Sequence, residues 1–395
     1  MKLLRIIAKD LPRFNEYLDL SFYGQKVAAE NRKGQLFDAD GKVKLNSIEI
    51  FVGDTASGKT LILKVIQFVI DVLNNEHLNY IKSGTILCGA EKVELDIFFL
   101  DNREMICYLH AEIAGAEKKN GEYTYRFLRE EFYEKPLQSV KTAKDFEDFR
   151  GVEPICVRNN DNPYLPDDVS IVIAHNKKDQ DFIENYGLLS PDMCAASLWN
   201  SENILEKIIR NFDSSIEKIN FERISRNRLL HLKFHGENEL VLRNAHEMDK
   251  YLSRGTINGA AIFQMAEDAL ETGGYLLIDD IEYYLSRKNT IQLISLFQNS
   301  QLNRQKSVLI VTTKWPEFID ACEQKDTIHI TRLLKKVGSI WKIRSRSLSE
   351  EYADRGRMAM SLKMVAELLK EELAWMEWQL LAMRKTIPCS SSETI

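Results

Sequence analysis

The sequence predicts an α/β fold, and three features of the chain carry this prediction. An apolar run at residues 47–52 leads through a glycine-rich loop into apolar residues at helical spacing over 61–73, which is the order strand, loop, helix. Two later apolar runs, 274–278 and 307–313, end in acidic or polar residues, as buried parallel strands do at the carboxyl edge of a sheet. Strand-like runs near the N-terminus and over 93–113 add further strands.

We expect a mixed N-terminal sheet beside a parallel core sheet flanked by helices. Residues 1–114 would form the first part of this core with the glycine-rich loop, and residues 226–345 the second part with the acidic strand. Residues 115–225 are rich in charge, Asn and Pro, which predicts an inserted lobe that is irregular or helical. Residues 346–395 would form a C-terminal helix and tail.

Composition narrows the class of protein. Lys and Arg number 53 against 59 Asp and Glu, so the formal net charge of -6 gives no electrostatic case for broad nucleic-acid binding. The six cysteines include no C-x-x-C pair, which favours a reduced protein without a zinc site. Charges break the start of the chain, and no run of about 18 apolar residues occurs. We therefore expect a cytoplasmic protein without a membrane span.

The glycine-rich loop at residues 53–60 has the spacing G-x-x-x-x-G-K-T of a P-loop. In this motif backbone N–H groups wrap a β-phosphate, Lys59 reaches the β- and γ-phosphate oxygens, and the Thr60 hydroxyl ligates Mg²⁺. Nucleotide binding is therefore the first functional prediction. The loop residues predicted to contact the nucleotide are Gly53, Asp54, Ala56, Ser57, Gly58, Lys59 and Thr60.

The run at 274–278 has the form of a Walker B strand, because it ends in acidic residues. Asp279 is predicted to hold Mg²⁺ at the same sheet edge as Thr60. Asp280 or Glu282 would then orient the attacking water. The plainer alternative is a core strand followed by a solvated acidic turn.

Two weaker signals accompany these motifs. The strand at 307–313 leads into Lys314, which either faces the γ-phosphate or simply faces solvent. Ser253 and Gly255 precede a predicted helix over 261–270, and a helix N-terminus favours anions. By itself this S-x-G-T pattern is most often only a helix cap.

Taken in order, these motifs resemble the ABC-type ATPase heads of a P-loop NTPase group. That group includes the overcoming-lysogenisation-defect nucleases, the recombination and structural-maintenance proteins and many phage-defence ATPases. The likeness is greatest to the compact members without a coiled coil, and it spans residues 1 to about 330. It rests on residues 14–22, the P-loop, residues 252–256, the acidic strand and residues 311–318.

The resemblance implies a homodimer, or a higher homo-oligomer, in which two heads enclose two ATP molecules with Mg²⁺. Ser253 and Gly255 of one subunit would touch the γ-phosphate held by the other subunit. Two residues depart from the family pattern, which usually has Glu at the position of Asp280 and His at the position of Lys314. The shorter Asp280 carboxylate and the fixed Lys314 cation predict slow ATP hydrolysis.

The C-terminal segment over 350–386 places Met and Leu residues at helical spacing, with Trp375 and Trp378 on or near the apolar stripe. This stripe either packs on the chain's own head or docks another subunit. After residue 330 the sequence shows no acidic cluster typical of a nuclease centre. Any nuclease activity would then belong to a partner.

The leading functional hypothesis is an ATPase whose ATP-dependent oligomer scaffolds or regulates a separate effector, such as a nuclease or toxin, in bacterial anti-phage defence. The defence role rests on the resemblance alone. The first alternative is a DNA-repair or recombination ATPase that clamps DNA, against which the short insert and the acidic balance argue. The second is a stand-alone nucleotide hydrolase, which Asp280 and Lys314 disfavour.

Overall fold

The computed structural model describes residues 1–14, 17–24, 36–39, 43–118, 121–140, 145–158, 165–179, 181–188, 193–200, 206–224, 227–319, 327–335 and 341–347. The predicted C-terminal helix over 350–386 lies outside the described residues. The described strands are β1 (Lys2–Lys9), β2 (Tyr17–Ser21), β3 (Leu36–Ala39), β4 (Val43–Asn46), β5 (Ile48–Val52), β6 (Lys92–Leu100), β7 (Met105–Glu117), β8 (Tyr123–Pro136), β9 (Cys156–Arg158), β10 (Asn185–Leu188), β11 (Ile216–Ile224), β12 (Asn227–Phe234), β13 (Leu240–Leu242), β14 (Tyr275–Ile278), β15 (Val308–Thr313), β16 (Ile328–Lys335) and β17 (Trp341–Ser347). The α-helices are α1 (Lys59–Leu73), α2 (Ile173–Asp179), α3 (Met193–Asn200), α4 (Glu206–Phe212), α5 (Ala245–Met248), α6 (Arg254–Thr272) and α7 (Arg287–Gln298).

The core sheet has the strand order β10-β14-β15-β5-β16-β17. Neighbouring strands run parallel from β10 through to β16, and only the edge strand β17 is antiparallel. The predicted parallel core is therefore present, with an antiparallel hairpin at one edge. Because β15 lies between β5 and β14, the carboxyl ends of these three strands meet at one edge of the sheet. That edge carries both the P-loop and the acidic segment.

The N-terminal sheet has the order β2-β1-β6-β7-β8-β9, and every described pair in it is antiparallel. The prediction of a mixed sheet is wrong here. Strands β6, β7 and β8 follow one another through short connections, and a tight connection joins strands only in the antiparallel sense.

The prediction of an irregular or helical lobe over 115–225 is wrong where the four strands β8, β9, β10 and β11 lie. Strand β8 pairs with β7 along its length and extends the N-terminal sheet, while β10 adds to the core sheet beside β14. The β8 pattern is hard to read because the buried Glu130 occupies a core position. Its carboxylate accepts hydrogen bonds from Arg158 Nε and Ser170 Oγ, both at 2.6 Å. A satisfied buried carboxylate interrupts the apolar alternation from which a strand is recognised.

Helix α1 lies between the two large sheets, which explains its apolar sequence. Ten of its residues are buried, and four polar residues that are not buried form a single stripe along the helix. One apolar cluster joins α1 to the N-terminal sheet and to Phe51, Leu277 and Ile310 of the core sheet. A second cluster packs the opposite face of the core sheet, including Ile50, against α6 and α7. Because successive side chains of a strand point to opposite faces of the sheet, each core strand contributes residues to both apolar clusters.

The remaining predicted elements are found close to their expected positions. The helix expected over 261–270 is α6, and the expected strand pair near 229–242 is β12 with β13, which are antiparallel. Together with β11 they form a separate three-stranded sheet. Within the described part of the chain, no helix has the length and apolar character needed to cross a membrane.

Candidate functional site

The P-loop runs from the end of β5 to the first residue of α1 and is tightly folded. A Cβ atom at Gly53 would lie 2.5 Å from both Ser57 Oγ and the carbonyl oxygen of Thr331. Gly58 has φ 98°, and a Cβ there would lie 2.5 Å from the Ile343 side chain. Both glycines are therefore required by close approach, and Gly58 also by its left-handed backbone. Since α1 begins at Lys59, the backbone N–H groups of Lys59 and Thr60 stand at this loop, while those of Leu61 and Ile62 donate to the Gly58 carbonyl oxygen.

Lys59 is buried, and its ammonium group lies against the backbone at the start of the P-loop. Its Nζ donates to the carbonyl oxygens of Gly53 and Asp54, at 2.9 and 2.7 Å. Burial lowers the pKa of Lys59, while the surrounding carboxylates, above all those of Asp280 and Glu282, oppose this shift. The site therefore holds a desolvated cation that an anionic ligand would stabilise.

A network of hydroxyls and one carboxylate joins the P-loop to the acidic segment. Thr60 Oγ1 donates to Asp279 Oδ2 at 2.7 Å, although the two residues are 219 positions apart. Thr312 Oγ1, at the end of β15, donates to Asp279 Oδ1 at 2.6 Å and accepts from the Asp280 backbone N–H at 2.7 Å. Strand β15 thus holds the two acidic residues in place. The structure brings Thr60 and Asp279 together as predicted.

Asp280 lies immediately beyond this network with an unusual backbone. Its φ of 46° is in the left-handed region, which Asp and Asn tolerate better than other non-glycine residues. The side chain lines the cavity at the P-loop. Desolvation raises the pKa of Asp280, helped by the Asp279 carboxylate and opposed by the Lys59 ammonium. Strained and electrostatically perturbed residues concentrate at functional sites.

Glu282 and Lys314 face each other at the cavity mouth. Glu282 Oε1 accepts from the Lys314 backbone N–H at 3.0 Å. Among the described residues, the buried Glu282 Oε2 has no hydrogen-bond partner. The exposed Lys314 side chain lies with Nζ 5.5 Å from the ring centroid of Tyr283, which is 65% exposed. Lys314 therefore borders the cavity and also contacts solvent.

A cavity of about 650 Å³, large enough for a nucleotide, is lined by Lys59, Thr60, Asp280, Glu282 and Lys314 among others. Sequence reasoning missed part of its wall, and Arg13, Leu333 and Ile343 were missed because they lie on elements without a motif. Ile343 on β17 donates its backbone N–H to the Arg13 carbonyl oxygen at 2.7 Å, which ties an N-terminal loop to the sheet edge. The lining residues not predicted as contacts from the sequence are Arg13, Thr55, Leu61, Lys64, Tyr283, Leu333 and Ile343.

The residues present fit a magnesium-bound nucleotide. The Thr60 hydroxyl and the Asp279 carboxylate are hard oxygen donors, 2.7 Å apart, which suit Mg²⁺. In the described part of the chain the buried oxygens Ser57 Oγ and Glu282 Oε2 lack hydrogen-bond partners. A bound group with polar atoms would satisfy such oxygens.

Ser253 and Gly255 lie elsewhere, at the start of α6, and neither lines this cavity. Ser253 is the N-cap, and its Oγ accepts from the Thr256 backbone N–H at 3.1 Å. Both Ser253 and Gly255 are exposed. A Cβ at Gly255 would meet only Ser253 Oγ, at 3.7 Å, so nothing in the described fold requires glycine there.

No family model matches the chain, and no curated protein matches it. Three solved structures are similar. The SmcHead bound to the C-winged helix domain of ScpA is 14% identical, with a TM-score of 0.43, over 89% of this chain and 100% of that one. The recombination mediator protein RecF with ATP is 10% identical, with a TM-score of 0.37, over 80% of this chain and 92% of that one. RecF with ATPrS is 12% identical, with a TM-score of 0.34, over 86% and 97%. At these TM-scores the likeness establishes no shared function.

Proposed function

We propose that the protein binds ATP with Mg²⁺ in the P-loop cavity and hydrolyses it slowly. The observation that carries this proposal is the convergence of the Thr60 and Thr312 hydroxyls on the Asp279 carboxylate, beside the P-loop. Two motifs that are far apart in sequence thereby form one site with the donor set of a magnesium nucleotide.

Each side chain has a distinct role in this proposal. Lys59 pairs with the phosphate oxygens, and Thr60 with Asp279 would hold the metal. Asp280 and Glu282 are the two candidates for orienting and deprotonating the attacking water. Lys314 supplies a fixed positive charge at the cavity mouth. Mg²⁺, when bound, offsets the charge that develops on the phosphate oxygens.

A substitution at Lys59 tests nucleotide binding directly. We expect Lys59→Ala to weaken Mg·ATP binding by roughly tenfold to a hundredfold, because a hydrogen bond to a charged group contributes about 1.5–3 kcal/mol. Calorimetric titration of the purified protein measures the affinity. Lys82→Ala, at an exposed lysine away from the cavity, is the matched control. Unchanged affinity in Lys59→Ala would remove the P-loop from the proposed function.

We further infer that ATP joins two copies of the chain and that this oligomer controls a separate effector. The exposed N-terminus of α6, with Ser253 and Gly255, supports an approach by a second subunit. The effector and the anti-phage context are carried by the resemblance in sequence motifs alone. A nuclease or toxin is the expected kind of effector.

The mass of the full chain with and without ATP, measured together with the proteins that co-purify from the native host, tests this assembly. An ATP-dependent doubling of mass supports it. Salt-dependent DNA binding by the purified protein would instead favour an ATPase that clamps DNA. Rapid ATP turnover by a monomer would favour a stand-alone hydrolase.

A further inference from the structure

A second cluster of reactive side chains lies away from the nucleotide cavity, where α2 packs on the N-terminal sheet. Asp101 follows β6, Cys107 is on β7, and His175 is on α2. Ligand atoms of these three residues all lie within 4.8 Å of one another, and all three residues are buried. Carboxylate, thiol and imidazole are the three kinds of side chain that bind Zn²⁺ in proteins.

The Asp101 carboxylate is fixed in position by the turn between β6 and β7. Its Oδ1 accepts hydrogen bonds from the backbone N–H groups of Arg103 and Met105, at 2.9 and 2.7 Å. These bonds fix the carboxylate so that Oδ2 lies 3.7 Å from His175 Nε2. That separation leaves room for an ion bound by both atoms at about 2 Å each.

His175 is oriented by a second carboxylate. Its Nδ1 lies 2.8 Å from Glu134 Oε1, while its Nε2 faces Asp101. Glu134 on β8 pairs with Cys107 on β7, so both side chains project from the same face of the sheet. A histidine that binds a metal through one ring nitrogen commonly donates the other N–H to a carboxylate, which fixes its tautomer. The cluster has this arrangement.

The charge of the cluster also suits a divalent cation. Arg103 bridges the carboxylates of Asp101 and Glu134, at 2.8 and 3.0 Å, and neutralises one of the two negative charges. A divalent ion that displaces one thiol proton would neutralise the other. The carboxylates of Asp101 and Glu134 would stabilise a bound cation.

We propose that Asp101, Cys107 and His175 bind one Zn²⁺, with Glu134 orienting the histidine ring. As the sulfur–zinc bond forms, the Cys107 thiol loses its proton to solvent, and a water completes the four ligands. The mixed sulfur, nitrogen and oxygen donors favour Zn²⁺ over Mg²⁺ or Ca²⁺. The ion links α2 to the N-terminal sheet. Access is from the Arg103 side, where that side chain is 35% exposed.

Sequence reasoning expected no zinc site because it searched for ligand pairs at short, regular spacing. Here the ligands come from three separate elements, and only the packing of α2 on the sheet brings them together. This site is independent of the nucleotide cavity, whose lining residues it does not share.

Cobalt titration of the full chain, after treatment with a chelator, tests the proposal. We expect one equivalent of Co²⁺ to bind, with a thiolate-to-metal absorption band in the near ultraviolet that Zn²⁺ then displaces. Cys107→Ser should lose this band. Cys88→Ser, at an exposed cysteine outside the cluster, should keep it. Absence of stoichiometric binding, or an unchanged band in Cys107→Ser, would overturn the proposal.

A second variant covers the case in which Cys107→Ser does not fold. Glu134→Gln removes the carboxylate that orients His175 and also pairs with Arg103, and loss of such a histidine partner typically weakens metal binding about tenfold to a hundredfold. Circular dichroism checks that the variant is folded, and Zn²⁺ competition against a chelating dye measures its affinity. Wild-type affinity in folded Glu134→Gln would remove the assigned role of Glu134 and contradict the carboxylate–histidine–zinc arrangement.

Discussion

The backbone of Asp280 accounts for the residue type at this position. A φ of 46° puts the residue in the left-handed region, where a short side chain that can bond locally is least disfavoured. A glutamate there would have a longer reach toward a water but a less favourable backbone. The backbone conformation therefore favours Asp over Glu at this position.

Asp280→Asn separates catalysis from folding. Asn tolerates the left-handed backbone, so we expect the variant to fold and to bind Mg·ATP as the wild type does. If Asp280 deprotonates the water, turnover should fall by about 10²–10⁴, the usual contribution of a general base. Phosphate release assays measure this. Glu282→Gln is the matched comparison. If turnover falls in Glu282→Gln and not in Asp280→Asn, Glu282 is the residue that deprotonates the water.

The pH dependence of stability gives an independent test at the same residue. The pKa of Asp280 is raised above 3.8, so the folded state holds this proton more tightly than the unfolded state. The Asp280 contribution to the stability of the nucleotide-free protein is therefore lost as pH rises through the raised pKa. The melting temperature of Asp280→Asn should exceed that of wild type. This difference should grow as pH rises from 3.8 to the raised pKa and stay constant at higher pH. A margin independent of pH would contradict the shift.

At the scale of elements, the P-loop depends on the edge hairpin of the core sheet. Gly58 faces Ile343 on β17, and no methyl group fits between them. We expect Gly58→Ala to destabilise the protein by about 2–5 kcal/mol, from left-handed strain of about 1–2 and overpacking of about 1–3. Denaturant unfolding measures the change. In the Ile343→Ala background, Gly58→Ala should cost only the strain part, because the overpacking is relieved. No further loss of stability relative to Ile343→Ala alone would show that backbone strain is unimportant.

In the first turn of α6, unlike in the P-loop, we expect a glycine-to-alanine substitution to stabilise the protein. Gly255 has open space around it, so Gly255→Ala should raise stability by up to about 1 kcal/mol through helix propensity. If the γ-phosphate on a second subunit approaches this backbone, the added methyl group should abolish ATP-dependent association without weakening ATP binding. Native mass measurement with ATP tests this, with Gln292→Ala in α7 as an exposed helical control. Association unchanged in Gly255→Ala would contradict close approach at this turn.

At the scale of the whole molecule, a mixing experiment tests whether the site is shared between subunits. Ser253→Arg should block the α6 terminus of one copy, and Lys59→Ala should disable the P-loop of the other. Each variant alone is expected to be inactive. Random mixing across a symmetric interface should restore roughly a quarter of wild-type turnover, since half of the dimers have one intact composite site. Absence of any recovery would argue against the shared site.

Much of the core could be predicted because its signals are local. The P-loop, the acidic strand and the α6 cap are fixed by residues adjacent in sequence, and the structure contains each of them. Strands β8 and β10 were missed for a different reason. Buried polar groups such as Glu130 break the apolar alternation in β8, and only Arg158 and Ser170, brought in by the fold, satisfy that carboxylate.

The sequence alone determined that a phosphate-binding loop precedes a buried helix and that acidic residues end a later strand, because these features depend on neighbouring residues. Only the tertiary structure determines which strand lies between the strand that precedes the loop and the strand that ends in the acidic residues. The placement of β15 between β5 and β14 brings Thr312 to Asp279 and makes one site from two motifs. It also decided the cluster of Asp101, Cys107 and His175, because no local pattern encodes contacts between residues on separate elements.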